Sequence, residues 1–107
     1  TSLGPDITPS WLAPSADQMA IKAKIVRGSN IEWEAETSLS NLNRTLEDLV
    51  NYVFRCQDFP HGLILSTGTG IVPPMDISLA AGDIVEINVA GVGTLSNTVE
   101  VIPERVK

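Results

Sequence analysis

Large aromatic anchors are scarce in this chain. Aromatic residues make up 5% of its 107 residues, although 43% are hydrophobic. A small domain with so few large side chains buries little area per residue and is marginally stable by itself. That scarcity points to a partner surface, either a second copy or another part of the same protein. Cysteine is nearly absent too. The lone Cys56 excludes an internal disulfide framework and fits a reducing, cytoplasmic compartment. Bases are outnumbered by acids, 7 to 13, for a formal charge of −6. Without a basic stripe the chain lacks the electrostatic footprint of a nucleic-acid binder, and its acidity disfavours anionic membranes. No apolar run approaches the ~18 residues a spanning helix needs, and no signal-peptide pattern is visible.

What is present reads as one small domain. Residues 1–18 carry prolines, glycines and hydroxyls without a period; a loop packed along something else and a disordered segment are equally open from sequence. Met19 to Arg27 alternates, with Ile21, Ala23 and Ile25 against Lys22 and Lys24. Ile31 to Thr37 alternates again, with Ile31, Trp33 and Ala35 against Glu32, Glu34 and Glu36. The two runs predict a hairpin about Gly28-Ser29-Asn30. A two-residue loop would set Ile25 against Glu32. A three-residue loop sets Ile25 against Trp33, Ala23 against Ala35, Lys24 against Glu34 and Lys22 against Glu36. A slip of one residue swaps faces, so the pattern selects the three-residue loop.

Leu42, Leu46, Leu49, Val50 and Val53 share one face at helical spacing. Thr45 followed by Glu47 and Asp48 predicts an N-cap with acids in the first turn. Pro60 and Gly62 are expected to end the element, and the helix to lie on the sheet. Gly62 to Ser66 ("GLILS") predicts a short buried strand. Leu79 to Asp83 predicts a turn, and Ile84 to Val89 and Thr94 to Ile102 predict strands about the loop Ala90 to Gly93. The expected class is α+β, a mostly antiparallel sheet with one main amphipathic helix.

Candidate chemistry is sparse. Glu32, Glu34 and Glu36 share a strand face, and hard cations want oxygen ligands. Lys22 and Lys24 account for those acids without an ion, and no nearby Asp or His completes a site. His61 has no partner for general base work and reads as structural. Cys56 falls near the apolar side of the helix and reads as a buried, inert thiol. Gly91-Val92-Gly93 lacks the third glycine and following helix of a dinucleotide loop and reads as a hairpin turn. The stretch Leu65 to Pro74, "LSTGTGIVPP", survives this filter. Gly68 and Gly70 flank Thr69, permitting backbone shapes and close approaches closed to other residues. Main-chain N–H groups and the Thr67 and Thr69 hydroxyls could then face an anion, although no P-loop Lys-Ser/Thr follows. Chemistry alone leaves an anion cradle and a plain tight turn equally open.

A resemblance decides between them. "EAETSLSNLNRTLEDLVNYVFR", "FPHGLILSTGTGIVPP" and "DISLAAGDIVEINVAGVGTLSNTVE" resemble consecutive blocks of the fumarylacetoacetate hydrolase family. The resemblance runs from about Gly4 to Val101 and matches the C-terminal part of the family's catalytic domain. "ETS" and "FPHG" are similar to members acting on 2-keto-3-deoxy sugar acids. The resemblance implies the C-terminal portion of that β-rich fold, with the chain 1–107 a single partial domain. It implies a metal-dependent enzyme of 2-oxo acids or acylpyruvates, a hydrolase or lyase working by C–C hydrolysis, decarboxylation or dehydration. Thr69 is the implied donor to the substrate's carboxylate, with Gly68 and Gly70 setting its geometry. The implied Mg2+ or Mn2+ is ligated outside this chain, since the family's Glu-x-Glu pair, aspartate, lysine and histidine lie upstream. The chain is therefore expected to be a fragment, inactive alone, that joins the upstream part of the same domain and dimerises. The alternative is a non-catalytic binding or oligomerisation module derived from that fold.

Overall fold

A computed structural model describes residues 2–103. Its centre is one four-stranded antiparallel sheet in the order β2-β1-β3-β4. The strands are β1 (Ala20–Arg27), β2 (Asn30–Ser38), β3 (Ile84–Val89) and β4 (Gly93–Thr98). A single helix, α1 (Leu46–Val53), and a short 3₁₀ turn, Leu39–Asn41, fall between β2 and β3.

The alternation of the hairpin sets its pairing. Ile25 faces Trp33, Ala23 faces Ala35, Lys24 faces Glu34 and Lys22 faces Glu36. The tip departs from the expected three-residue loop. The register shifts after Ile25, Val26 pairs with Ile31 and Arg27 with Asn30, and the turn closes on Gly28-Ser29. Glu32 is thus the extra residue of a bulge, which reconciles a tight two-residue turn with an apolar face that demands the longer register. Gly28 takes φ +62° in that turn, where a side chain would be strained. The bulge brings Glu32 within 3.8 Å of Arg27. Lys24 reaches not Glu34 but Glu86 on the other neighbouring strand, at 3.0 Å.

The pleat then sorts the two faces. Ile21, Ala23, Ile25, Trp33, Ala35, Val85, Ile87, Val89 and Leu95 share one face by direct pairing. Lys22, Lys24, Glu34, Glu36, Glu86, Asn88 and Thr94 share the other. Only Ile25 on the apolar face is fully buried, at 3% exposure, among the described residues.

Several expectations fail. "GLILS" forms no strand; Leu63, Ile64 and Leu65 are exposed, Ile64 at 71%. An apolar run becomes a strand only where a neighbour offers its edge, and no strand within the described residues does. Helix α1 does not lie on the sheet: its contacts with the strands are marginal at most, and Leu46 and Val50 stand exposed. It also stops at Val53, well before Pro60, because the chain turns so that the Phe54 ring meets Phe59 edge-on, centroids 5.3 Å apart. Leu42 falls outside it, as the cap of the 3₁₀ turn. Cys56, read as buried, is exposed in the turn that follows. β4 ends at Thr98, short of Ile102, although Val99 N–H still donates to Asp83 O at 2.8 Å.

The accessible surface totals 8801 Å², against about 5,800 Å² for a folded monomer of this mass. The radius of gyration is 16.6 Å, against about 13 Å for a compact domain of this length. Both excesses go with one finding: among the described residues most of the large apolar side chains stand exposed.

One close approach fixes the N-terminal segment. Gly91, in the β3–β4 turn at φ +79°, sits against the ring of Pro14, where a Cβ would collide with it. Gly91→Ala is expected to cost about 2–4 kcal/mol, from the positive φ and the overlap together. Gly4→Ala is the control, since nothing approaches that position. Urea melts of the two variants check this: a Gly91→Ala midpoint as high as that of Gly4→Ala would sink the account.

Candidate functional site

The loop Thr67 to Gly70 leaves its backbone donors unspent. Among the described residues, the N–H groups of Thr67, Gly68, Thr69 and Gly70 make no hydrogen bond. Four such groups in an exposed loop, with nothing cationic needed to orient them, are the raw material of an anion nest. Gly68 takes φ +78°, the conformation that turns successive amides toward one side. Gly70 has no positive φ, and a Cβ there would meet Thr37 Oγ1 at 3.5 Å, an ordinary contact, so neither φ nor space requires glycine at this position. Thr37, in the "ETS" stretch at the end of β2, in turn accepts from Asn41 Nδ2 at 3.1 Å.

The two hydroxyls differ. Thr69 Oγ1 accepts from Ile71 N–H at 3.1 Å, which holds the loop's exit and leaves the hydroxyl hydrogen free to donate. Thr67 Oγ1 donates its hydrogen to Gly68 O at 3.1 Å. Thr69 is the available donor of the pair.

A shallow cleft of about 230 Å³ opens beside the loop, lined by Thr67, Gly68, Thr69, Leu42, Asn43, Arg44 and Leu49. It joins the loop to the segment that enters α1. The N-cap expected at Thr45 is present: its hydroxyl accepts from Asp48 N–H at 3.1 Å, with Glu47 and Asp48 in the first turn. That cap fixes the chain direction just after Arg44. The place of Arg44 beside a glycine loop two dozen residues later is a tertiary fact that no local pattern announces.

A larger hollow of about 570 Å³ lies over the polar face of the sheet, against Lys22, Lys24, Glu34, Glu36, Glu86, Asn88 and Thr94. Three glutamates there outnumber two lysines, Lys24 is paired with Glu86, and Asn88 Nδ2 is spent on Thr94 Oγ1 at 2.7 Å, so the hollow does not favour an anion. The smaller cleft is the better site because its donors are uncommitted.

The one strongly perturbed carboxylate lies elsewhere. Asp83 ends the turn after Leu79, with Gly82 at φ +88°. It is 1% exposed and gripped by both arms of Arg27, Nε to Oδ1 and Nη2 to Oδ2, each at 2.9 Å. Ala80 N–H donates to Oδ2 at 2.8 Å, and Arg27 Nη2 also donates to Ser78 O at 3.0 Å. The guanidinium bond, then the Ala80 amide, pull this carboxyl from 3.8 down to about 2. Arg27 rises in turn, chiefly through its bond to Asp83. Sequence reading marked this stretch as a turn and missed the bolt that ties it to the hairpin tip.

The remaining candidates stay apart. His61 is exposed, without a hydrogen bond among the described residues. Gly91 to Gly93 is a hairpin turn, closed by Val92 N–H to Val89 O at 3.0 Å. Glu32, Glu34 and Glu36 take no part in a metal cluster: no three His, Cys, Asp or Glu side chains converge to hold a cation among the described residues. No helix among them is long and apolar enough to cross a membrane.

Residues 1–100 match a family profile described as fumarylacetoacetate (FAA) hydrolase C-terminal. The chain is 35% identical over 99 residues to a 2-dehydro-3-deoxy-D-arabinonate dehydratase of Saccharolobus solfataricus, covering 92% of this chain and 33% of that protein. It is 30% identical over 101 residues to a probable 2-keto-3-deoxyxylonate dehydratase of Haloferax volcanii, covering 94% of this chain and 35% of that one. Among solved structures, an apo 2-keto-3-deoxy-D-arabinonate dehydratase superposes with a TM-score of 0.86 at 35% identity, over 94% of this chain and 36% of that chain. The same enzyme complexed with magnesium and 2,5-dioxopentanoate gives 0.81 at 36% identity, over 89% and 34%. The 107 residues span about a third of the length of these relatives.

Proposed function

The chain belongs to the fumarylacetoacetate hydrolase family, in the C-terminal part of its fold, and from that premise we propose that it forms the carboxylate-gripping wall of a divalent-metal-dependent enzyme acting on 2-oxo acids. The favoured reaction is loss of water from a 2-keto-3-deoxy sugar acid, in line with what the relatives are named for. Hydrolysis or decarboxylation of acylpyruvates comes second. The observation that carries the reading is the loop at Thr69: a free hydroxyl hydrogen and four unspent amides beside a cleft.

Thr69 and its neighbouring amides hold the carboxylate end of the substrate and fix its orientation. Gly68 supplies the bend that aims the amides, and Gly70 leaves the space beside Thr69 free of a side chain. A bound Mg2+ or Mn2+ would polarise the 2-oxo group. Among the described residues no three acidic, His or Cys side chains converge, which supports placing its ligands in polypeptide outside this chain. The same outside polypeptide, together with a second copy in a homodimer, covers the surplus apolar surface. The exposed single thiol suits a reducing, cytoplasmic setting.

The test is turnover. A full-length polypeptide containing this sequence is expected to dehydrate a five-carbon 2-keto-3-deoxy acid with Mg2+ and to stop on addition of EDTA. The 107-residue chain alone is expected to show no turnover with either metal. Activity of the isolated chain with Mg2+, or undiminished activity of the full protein in EDTA, would overturn the reading.

A further inference from the structure

We propose that Arg44 is the charged half of the carboxylate subsite, a substrate-binding residue that works with Thr69. The inference rests on the reading of the Thr69 loop given above and adds to it a guanidinium and a consequence for ligand charge. Arg44 lines the same cleft as Thr67, Gly68 and Thr69. Its commitments distinguish it from the other cations. Arg27 is locked to Asp83, Lys24 is paired with Glu86, and Arg55 lies over the Tyr52 ring, 4.7 Å from its centroid; Lys22, also without a partner among the described residues, lies on the polar face of the sheet and not at this cleft. Among the described residues, Arg44 makes no hydrogen bond and no ion pair.

In a chain with a net charge of −6, an anion meets repulsion almost everywhere. Neutral amides and a hydroxyl counter that only weakly, whereas a guanidinium offers a fork of donors that matches a carboxylate's two oxygens. The Thr45 cap and the Leu42 turn hold the backbone on either side of Arg44, so the side chain is delivered to the cleft from a fixed root. The division of work follows. Thr69 and the amides define where the oxygens sit; Arg44 makes the subsite select a charged acid over a neutral analogue of the same shape.

The experiment uses the full-length, Mg2+-loaded protein and two probes, pyruvate and pyruvamide, titrated by calorimetry. Arg44 is exposed and unpartnered, so Arg44→Ala removes no contact that holds the described fold. Arg44→Ala is expected to weaken pyruvate about 10-fold or more, the usual worth of a charge-assisted hydrogen bond, and to leave pyruvamide nearly unchanged. Arg44→Lys keeps the charge but not the fork and is expected to recover part of the loss. Thr69→Ala, run alongside, is expected to weaken both probes. Loss of pyruvate binding with Thr69→Ala but not with Arg44→Ala overturns the proposal for Arg44 and leaves the loop's role standing. Loss with Arg44→Ala but not Thr69→Ala keeps the guanidinium and removes the hydroxyl. If neither substitution matters, the carboxylate reading of the cleft fails as a whole. An Arg44→Ala protein that melts lower yet binds pyruvate normally assigns the side chain to the domain's own packing and also overturns the proposal.

Discussion

Thr69→Val in the full-length enzyme is expected to raise KM for a 2-keto-3-deoxy acid about 10- to 100-fold while kcat changes little. The magnitude is that of a hydrogen bond to a charged group, roughly 1.5–3 kcal/mol. The split follows from where the contact lies. A carboxylate held equally before and during reaction contributes uniform binding, which appears in KM rather than kcat. Valine keeps the shape of threonine but loses the donor, together with the oxygen that accepts Ile71 N–H. Thr69→Ser restores both and should restore KM, separating the hydroxyl's role from that of the methyl. Thr67→Val is the sharper control. That hydroxyl is turned back on Gly68 O, so its removal should move KM far less than the Thr69 change. Steady-state kinetics on the three variants decide the matter: equal losses at Thr67 and Thr69, or a fall in kcat with KM unmoved, would refute the assignment.

Asp83→Asn is expected to lower the melting temperature by several degrees near neutral pH, a large loss for so conservative a change. Asparagine fits the space but cannot answer the Arg27 fork, and it leaves that guanidinium facing a neutral amide. Arg27 is 44% exposed, so water screens the pair and moderates the effect. The pH dependence has a definite sign. The folded-state pKa of Asp83 is lowered from 3.8 to about 2. A depressed carboxyl contributes stability that is fully present above its unfolded value and is lost as pH falls through the folded one. The gap in melting temperature between wild type and Asp83→Asn should therefore hold above about pH 4 and close as pH falls toward 2. Combining Asp83→Asn with Arg27→Gln should cost little more than either alone, because both remove one interaction. A gap that persists unchanged at pH 2, or two fully additive losses, would dissolve the bolt.

What could be read from residues alone follows a simple boundary. The body of the β1–β2 hairpin was legible because Ile25, Trp33, Ala23 and Ala35 need only each other to choose a register. The tip was not: no local pattern announces that Glu32 will bulge so that Gly28-Ser29 can close a two-residue turn. Thr45 was legible as a cap because capping is settled within four residues. "GLILS" and the apolar face of α1 were misread because their apolar pattern meets no matching surface among the described residues. An alternating or 3.6-fold pattern reports that a face will be covered; it does not say by what. The loop at Thr69 was legible as a candidate from its glycines, and the family resemblance supplied its meaning. Arg44 and the Arg27–Asp83 bolt escaped because each depends on residues far apart in the chain meeting in space.

The two rims of the sheet are unlike, and that has a consequence for how the chain fails. β2 forms one rim and carries Glu32, Glu34 and Glu36 along it; β4, "GTLSNT", forms the other without a single charge. Carboxylates crowded at an open border repel a like strand that tries to add there, and an uncharged border offers no such defence. When copies of this polypeptide meet before their apolar surfaces are covered, the glutamate border stays solitary and misassembly is seeded at Gly93–Thr98.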